Sequence, residues 1–428
     1  MQIQDSLIQP RILSLSTLFR SKTIRQTLML YASKLAVIPL GMITASIITR
    51  TLGPDNYGLL ALYGTVTGFP LLFFRFGFDS SCGLLIARED NGNNIRKLIG
   101  AGIIVFLLTG ATYSLFVFGF SFFVDDIFHT NIGSILKWAA IPLVVAPFQF
   151  LIVAATRGGN KIGRLSLSNI LPKVLSLLGV STLLAFSRIS ITSLIALALG
   201  ISITCKLVIV GSLDPSFHQL GWNMKKIWLK NREYGLHMYS AQVADQSTYK
   251  LDGIFIGYFV NSTQLGFYEL ASLIVSPMAM LSQSLSMSLF KGFARLEKIP
   301  KKVIYFNLLW LASCVFGLTL IAKYIVLTLF SARFLPVASL VIPWAFAGFF
   351  QGMYQPYNMF LGAHGMGKEL RNVSLIQMVF NVTGNFTLIY LYGVWGAVIA
   401  SAIAKAIEYG GNIWYYRRYL MNLESRIL

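Results

Sequence analysis

The chain carries charge where charge is expensive. Arg75 and Asp79 stand four residues apart in "FRFGFDSSCG", between strongly apolar stretches, and Asp245, Lys250 and Asp252 fall together in "ADQSTYKLDGIFIGYFV". A charge at the centre of a bilayer costs ~3 kcal/mol or more, so such residues need a reason to be there. The residue types suggest two chemistries. A guanidinium grips phosphate oxygens through paired N–H donors, while an ammonium acts as a point charge. Arg75, Lys250, Lys34 and Lys173 therefore form a candidate cationic, anion-binding lumen. Asp79, Asp252, Asp245 and Glu269 are the acids available to couple H⁺ or Na⁺ or to neutralise those cations.

Helical spacing sorts these groups. Arg75 and Asp79, at i and i+4, can pair with each other, and Gly77 between them loosens the helix. Asp245 and Asp252 are seven apart and share a face. Lys250 lies roughly 200° from Asp252 around the axis, which disfavours a pair within the helix, and roughly 21 Å into its span, too deep for easy snorkelling. Lys34 opens the first span, and Lys173 follows Pro172 at the start of the fifth. Lys137, Lys206 and Lys323 sit near span ends and can snorkel. Lys405 is one turn from Glu408, so that couple can neutralise itself.

These groups need helices to hold them. The 428 residues are 55% hydrophobic and only 12% charged, whereas soluble domains carry about 25% charge. Apolar windows recur along the whole chain at the ~20 residues needed to cross a bilayer. The expected fold is an all-α polytopic membrane protein with about twelve spans. Of the 35 Lys and Arg, 24 fall in the segments on the side of the N-terminus and three, Arg50, Arg188 and Arg333, in the opposite loops. That asymmetry places both termini in the cytoplasm. The net charge of +19 is thereby a topology signal and an attraction to anionic headgroups, not a nucleic-acid footprint. The expected divisions are a basic arm at 1–32, six spans in 33–212, a cytoplasmic linker at 213–235, six spans in 236–416, and a tail at 417–428. "RILSLSTLFRSKTIRQTL", from Arg11, has the pattern of a basic amphipathic surface helix. Cys82, Cys205 and Cys314 all lie in apolar segments and read as packing residues.

The two sets of spans resemble each other. "ITRTLGPDNYGLLALYG" has a blurred partner 208 residues on, "IGYFVNSTQLGFYELA", which aligns Ile48 with Ile256, Gly58 with Gly266 and Leu62 with Leu270. Six spans is an even number, so both halves start on the same side and form parallel repeats about an axis along the membrane normal. Transporters built this way bind between the halves and rock. A central cavity between two lobes is expected.

"SKLAVIPLGMITASIITRTLGPDNYGLLALYG", with its R-x-LG-P-x-x-YG turn, resembles the Wzx-type O-antigen flippases of the multidrug/oligosaccharidyl-lipid/polysaccharide exporter superfamily. "STYKLDGIFIGYFV" and "NMFLGAHGMGKELRN" are similar to the second-half pattern of these proteins. The resemblance implies a flippase of the bacterial inner membrane. It would move an undecaprenyl-pyrophosphate-linked oligosaccharide to the periplasmic leaflet by alternating access, among membrane lipids and other glycan-assembly membrane proteins. A diphosphate between a greasy tail and a polar glycan is the anion such a lumen would receive. No cofactor is implied beyond possible H⁺ or Na⁺ coupling. Enzyme chemistry has little support: His129, His218, His237 and His364 are scattered, and "GAHGMGKE" lacks Walker spacing. No metal site is expected. The alternatives are a cation-coupled drug antiporter of the same superfamily, which should line its lumen with acids, and a membrane glycan polymerase or ligase, which should carry a large outer loop.

Overall fold

The computed structural model describes residues 22–427, so most of the surface helix expected from Arg11 lies outside the described residues. Among the described residues fourteen α-helices of eight residues or more carry the fold. Helix α1 (Lys22–Gly68) contains the first span and the start of the second. After a 3-10 turn, Pro70–Arg75, come α2 (Phe78–Ala87) and α3 (Gly92–Phe120). The fourth span is bent by 60° between α4 (Gly133–Ala140) and a segment ending in α5 (Phe148–Gly158). Helices α6 (Ile162–Ala185) and α7 (Ile191–Ser212) complete the first half. The linker holds α8 (Leu220–Lys230) and a π-helical turn, Asn231–Gly235. The second half comprises α9 (Leu236–Phe259), α10 (Ser262–Ser288), α11 (Lys301–Leu329), α12 (Pro336–Ala363), α13 (Gly367–Tyr392) and α14 (Val394–Ile427).

Eight helical segments are long and apolar enough to cross a membrane, or nine with the bent pair, among the described residues. The expected count of twelve is met differently. Spans one and two run as a single stretch broken only at Gly53. Helices α9 and α14 have the length but not the apolarity; they carry Asp252 and the Lys405–Glu408 couple.

The corner at "LGPDN" is tighter than a loop. Gly53 alone leaves the helix, at φ 75°, a region that glycine enters without a Cβ clash. The helix resumes at Pro54, whose fixed φ and missing N–H suit a first turn. The second half's equivalent corner is capped instead: the Asn261 side chain accepts from the Gln264 N–H. The two corners meet. The Thr263 hydroxyl donates to Asp55 at 2.7 Å, between residues 208 apart, the spacing of the sequence repeat. Beside them Gly58 and Gly266 pack so closely that a Cβ on Gly266 would stand 3.0 Å from the Gly58 Cα. Ser46 and the Arg50 guanidinium both donate to the Leu329 carbonyl at the end of α11.

Apolar packing follows the same polarity. At the corner end one buried cluster joins both halves, running from Leu62 and Tyr113 to Leu270 and Val341. At the linker end the core divides. One cluster, around Ile99, Phe106 and Leu151, belongs to the first half and the linker. Another, around Phe293, Phe360 and Tyr416, belongs to the second. Shared apolar burial therefore holds the halves together at one end and leaves them separable at the other.

Candidate functional site

A cleft of about 410 Å³ opens in that divided end. Arg75, Asp79, Ser80 and Gly83 line it from the first half's second span, Arg157 from the end of α5, Tyr234 from the linker's π-helical turn and Gln242 from α9. The second span is irregular here. Phe76 and Gly77 both take left-handed backbone, φ 48° and 78°, so the Arg75–Asp79 pair forms across a broken helix, not along a regular one. The Arg75 guanidinium donates to the Asp79 carboxylate at 2.5 Å and stacks 4.2 Å from the Phe150 ring centre. Both residues are 9% exposed. In an ion pair this dry each charge offsets the desolvation of the other.

The linker clamps the break. The Asn231 amide donates to the Phe76 carbonyl at 2.9 Å, and the Ser81 hydroxyl donates to the Asn231 oxygen at 3.0 Å. Gly77 lies against Gly235 with no room for a side chain between them. The Tyr239 hydroxyl donates to the Phe73 carbonyl at 2.8 Å, and the Gln242 amide to the Ser80 hydroxyl at 3.1 Å. A π-helical turn packed on a broken helix is a joint between the halves.

The expected cations do not all gather here. Arg75 lines the cleft; Lys173 is exposed on α6 and is not among the cleft residues. The side chains of Lys34, Lys250 and Asp245 lie outside the described residues. Glu269 is exposed on α10. Lys206, read as a snorkelling residue, instead donates to the Ala146 carbonyl at 3.3 Å inside the first half. Arg157 was hidden among the ordinary loop cations, and no spacing signal marked it.

Asp252 belongs to a different site. It is 4% exposed and buried in the second half. Among the described residues its carboxylate accepts from the Tyr268 hydroxyl at 2.5 Å, the Asn385 amide at 2.5 Å and the Ser401 hydroxyl at 3.0 Å, and the Lys405 ammonium is near enough to act on it electrostatically. Asn385 also donates to Asn381 at 3.1 Å. Gln377, Asn381 and Asn385 recur every fourth residue along α13 and are all buried, a ladder that the sequence displays but that carries no charge to draw attention. Further along α14 the Lys405 ammonium donates to Glu408 at 2.9 Å, both residues nearly fully buried, as their spacing predicts.

The chain matches the family described as "Polysaccharide biosynthesis protein" over residues 47–339. It belongs to that family. Within the wider set of relatives it is 20% identical, over 94% of its length and 84% of the other's, to the probable low-salt glycan biosynthesis flippase Agl15 of Haloferax volcanii. Its fold is similar to that of the lipid II flippase MurJ in an inward closed conformation. The TM-score is 0.71 at 16% identity, covering 92% of this chain and 89% of that one. An inward-facing multidrug resistance transporter of the MATE family, in the MOP superfamily, also superposes: TM-score 0.67, 13% identity, 92% and 99% coverage. The all-helical architecture of MOP transporters is thereby the fold of this chain.

Proposed function

We propose that this protein is a flippase for an oligosaccharide carried on undecaprenyl pyrophosphate, moving an O-antigen, capsule or exopolysaccharide unit from the cytoplasmic to the periplasmic leaflet of a bacterial inner membrane. The observation that carries the reading is the cleft at the linker end, cationic at Arg75 and Arg157, lined by the first half and closed by Tyr234 of the linker and Gln242 of α9, where the halves do not share a core. In this reading that end is cytoplasmic, which the charge asymmetry of the loops supports. A cleft there receives the anionic, sugar-bearing head, and the tail remains in lipid. Closing it while parting the Gly58–Gly266 corner would present the head to the opposite side, the alternating-access cycle of two-lobed transporters. Lys34, Lys173 and Lys250 remain proposed auxiliaries of the anion path, and partnership with other glycan-assembly membrane proteins is part of the same reading.

Asp252 is the proposed coupling group. A buried carboxylate held by hydroxyl and amide donors, with the Lys405 ammonium nearby, offers oxygens to Na⁺ or a place for H⁺. Deletion of the gene is the test. Lipid-linked units should accumulate on the cytoplasmic face and surface glycan should disappear; a deletion strain with normal surface glycan defeats the proposal.

A further inference from the structure

A second cavity, about 750 Å³, lies on the other side of the linker joint from the cleft. Its floor is apolar and aromatic. Phe76 and Phe78 come from the broken second span, Val105 and Leu108 from α3, Trp228 from α8 and Leu236 from the first turn of α9. Leu108 is 57% exposed and Trp228 56%, so the groove is open along its length. The threonines in its wall add little polarity: Thr109 and Thr112 each spend the hydroxyl on a carbonyl of their own helix. Lys225 and Arg232 stand on its rim.

The cations of the linker are divided in a telling way. Lys226 pairs with Glu89 at 3.7 Å and Lys230 with Glu233 at 3.0 Å. Lys225 and Arg232 are exposed and make no ion pair among the described residues, and these two are the ones that line the groove. An apolar trough with two uncommitted cations at its lip complements an amphiphile with a greasy chain and an anionic head.

The position narrows the occupant. Phe76 and Asn231 line the groove, while Arg75 and Tyr234, one and three residues away, line the cleft. The wall between the two cavities is the Asn231–Phe76 hydrogen bond and the Gly77–Gly235 contact. An amphiphile in this groove has its phosphate beside the entrance to the polar cleft. A bulk phospholipid has no use for that placement, whereas a substrate whose head must enter the cleft while its chain stays outside requires it.

We propose that the groove is a docking site for the polyprenyl chain of the substrate, with its phosphate held by Lys225 and Arg232 at the cleft's edge. The identity of the lipid rests on the flippase reading. The probe is undecaprenyl phosphate, which lacks any glycan, bound to the full-length protein in phosphatidylcholine nanodiscs and followed by native mass spectrometry. The wild type should retain it in preference to equimolar phosphatidylglycerol. K225E/R232E should weaken retention at least about tenfold, since each basic residue near an anionic headgroup contributes ~1 kcal/mol. L108W, at an exposed position that a folded chain tolerates, should block the groove without touching the rim and lower retention similarly. The proposal is overturned if the wild type shows no binding, if both variants bind like the wild type, or if phosphatidylglycerol displaces the probe equally well. A deletion strain with normal surface glycan defeats the flippase reading whatever the groove binds. A glycan-deficient deletion strain fully rescued by both groove variants defeats the groove alone.

Discussion

Arg75 and Asp252 occupy opposite kinds of site. Arg75 lines a cleft, neutralised by one carboxylate on its own span and stacked on an aromatic ring. Asp252 is enclosed, with three neutral donors from three other helices turned toward it. The first arrangement can exchange partners: in the proposed cycle a phosphate arriving in the cleft would compete with Asp79 for the same N–H donors. The second is geometrically committed, because Tyr268, Asn385 and Ser401 converge on one carboxylate from α10, α13 and α14. A variable, bulky head suits the first and a small ion the second. Two charges buried to a similar degree thus point to different tasks through the chemistry of their neighbours.

That contrast can be broken most sharply at Arg75. Arg75→Ala strands a buried Asp79, and loss of one member of a buried pair should lower stability by about 3–5 kcal/mol as well as abolish export. The double variant Arg75→Ala/Asp79→Ala should recover most of the thermal stability but none of the export. Recovery of export in the double variant would reduce the pair to a structural strut. Asp252→Asn comes next. Shape and burial are retained but the charge is lost, and with ~1.5–3 kcal/mol per hydrogen bond to a charged group the transport rate should fall about 100-fold. Unaltered transport would remove Asp252 from coupling. Ser401→Ala deletes one of the three donors, and a transport assay run against coupling-ion concentration should show about a tenfold weaker ion dependence. Arg157→Gln should raise the apparent substrate KM about threefold, as an exposed cation at the cleft mouth is heavily screened. The smallest effect belongs to Lys173→Ala. Its exposed position outside the cleft limits it to an auxiliary part in the proposed anion path and predicts surface glycan within about twofold of wild type; a null phenotype would make Lys173 a principal contact.

The legible part of this molecule was its periodicity. Span placement, the charge asymmetry of the loops and the 208-residue repeat all follow from patterns that a bilayer imposes on any chain crossing it many times. Two charge pairs were legible as well: Lys405–Glu408 forms along a regular helix as i,i+3 spacing requires, whereas Arg75–Asp79 forms even though the helix is broken between its members. What spacing cannot convey is which helices face one another. Hence the neutral partners of Asp252, contributed by segments 16 to 149 residues away, went unseen, and Arg157 looked like any loop cation. The joint at Asn231 was equally hidden, since a π-helical turn has no sequence signature and its partner is a backbone carbonyl 155 residues distant.

The meeting of Asp55 with Thr263, and of Gly58 with Gly266, has a meaning apart from closure. Residues related by a repeat touch one another only where the symmetry axis passes. In a two-fold dimer of separate half-length chains the same contact would be isologous, one patch meeting its own copy. The corner therefore has the geometry of an isologous interface between the two halves of one chain. Joined by the linker, the halves need not be alike: at the same spacing the first half has Thr44 where the second has Asp252. Symmetry survives at the point of contact, and the specialised chemistry arose where the copies were free to differ.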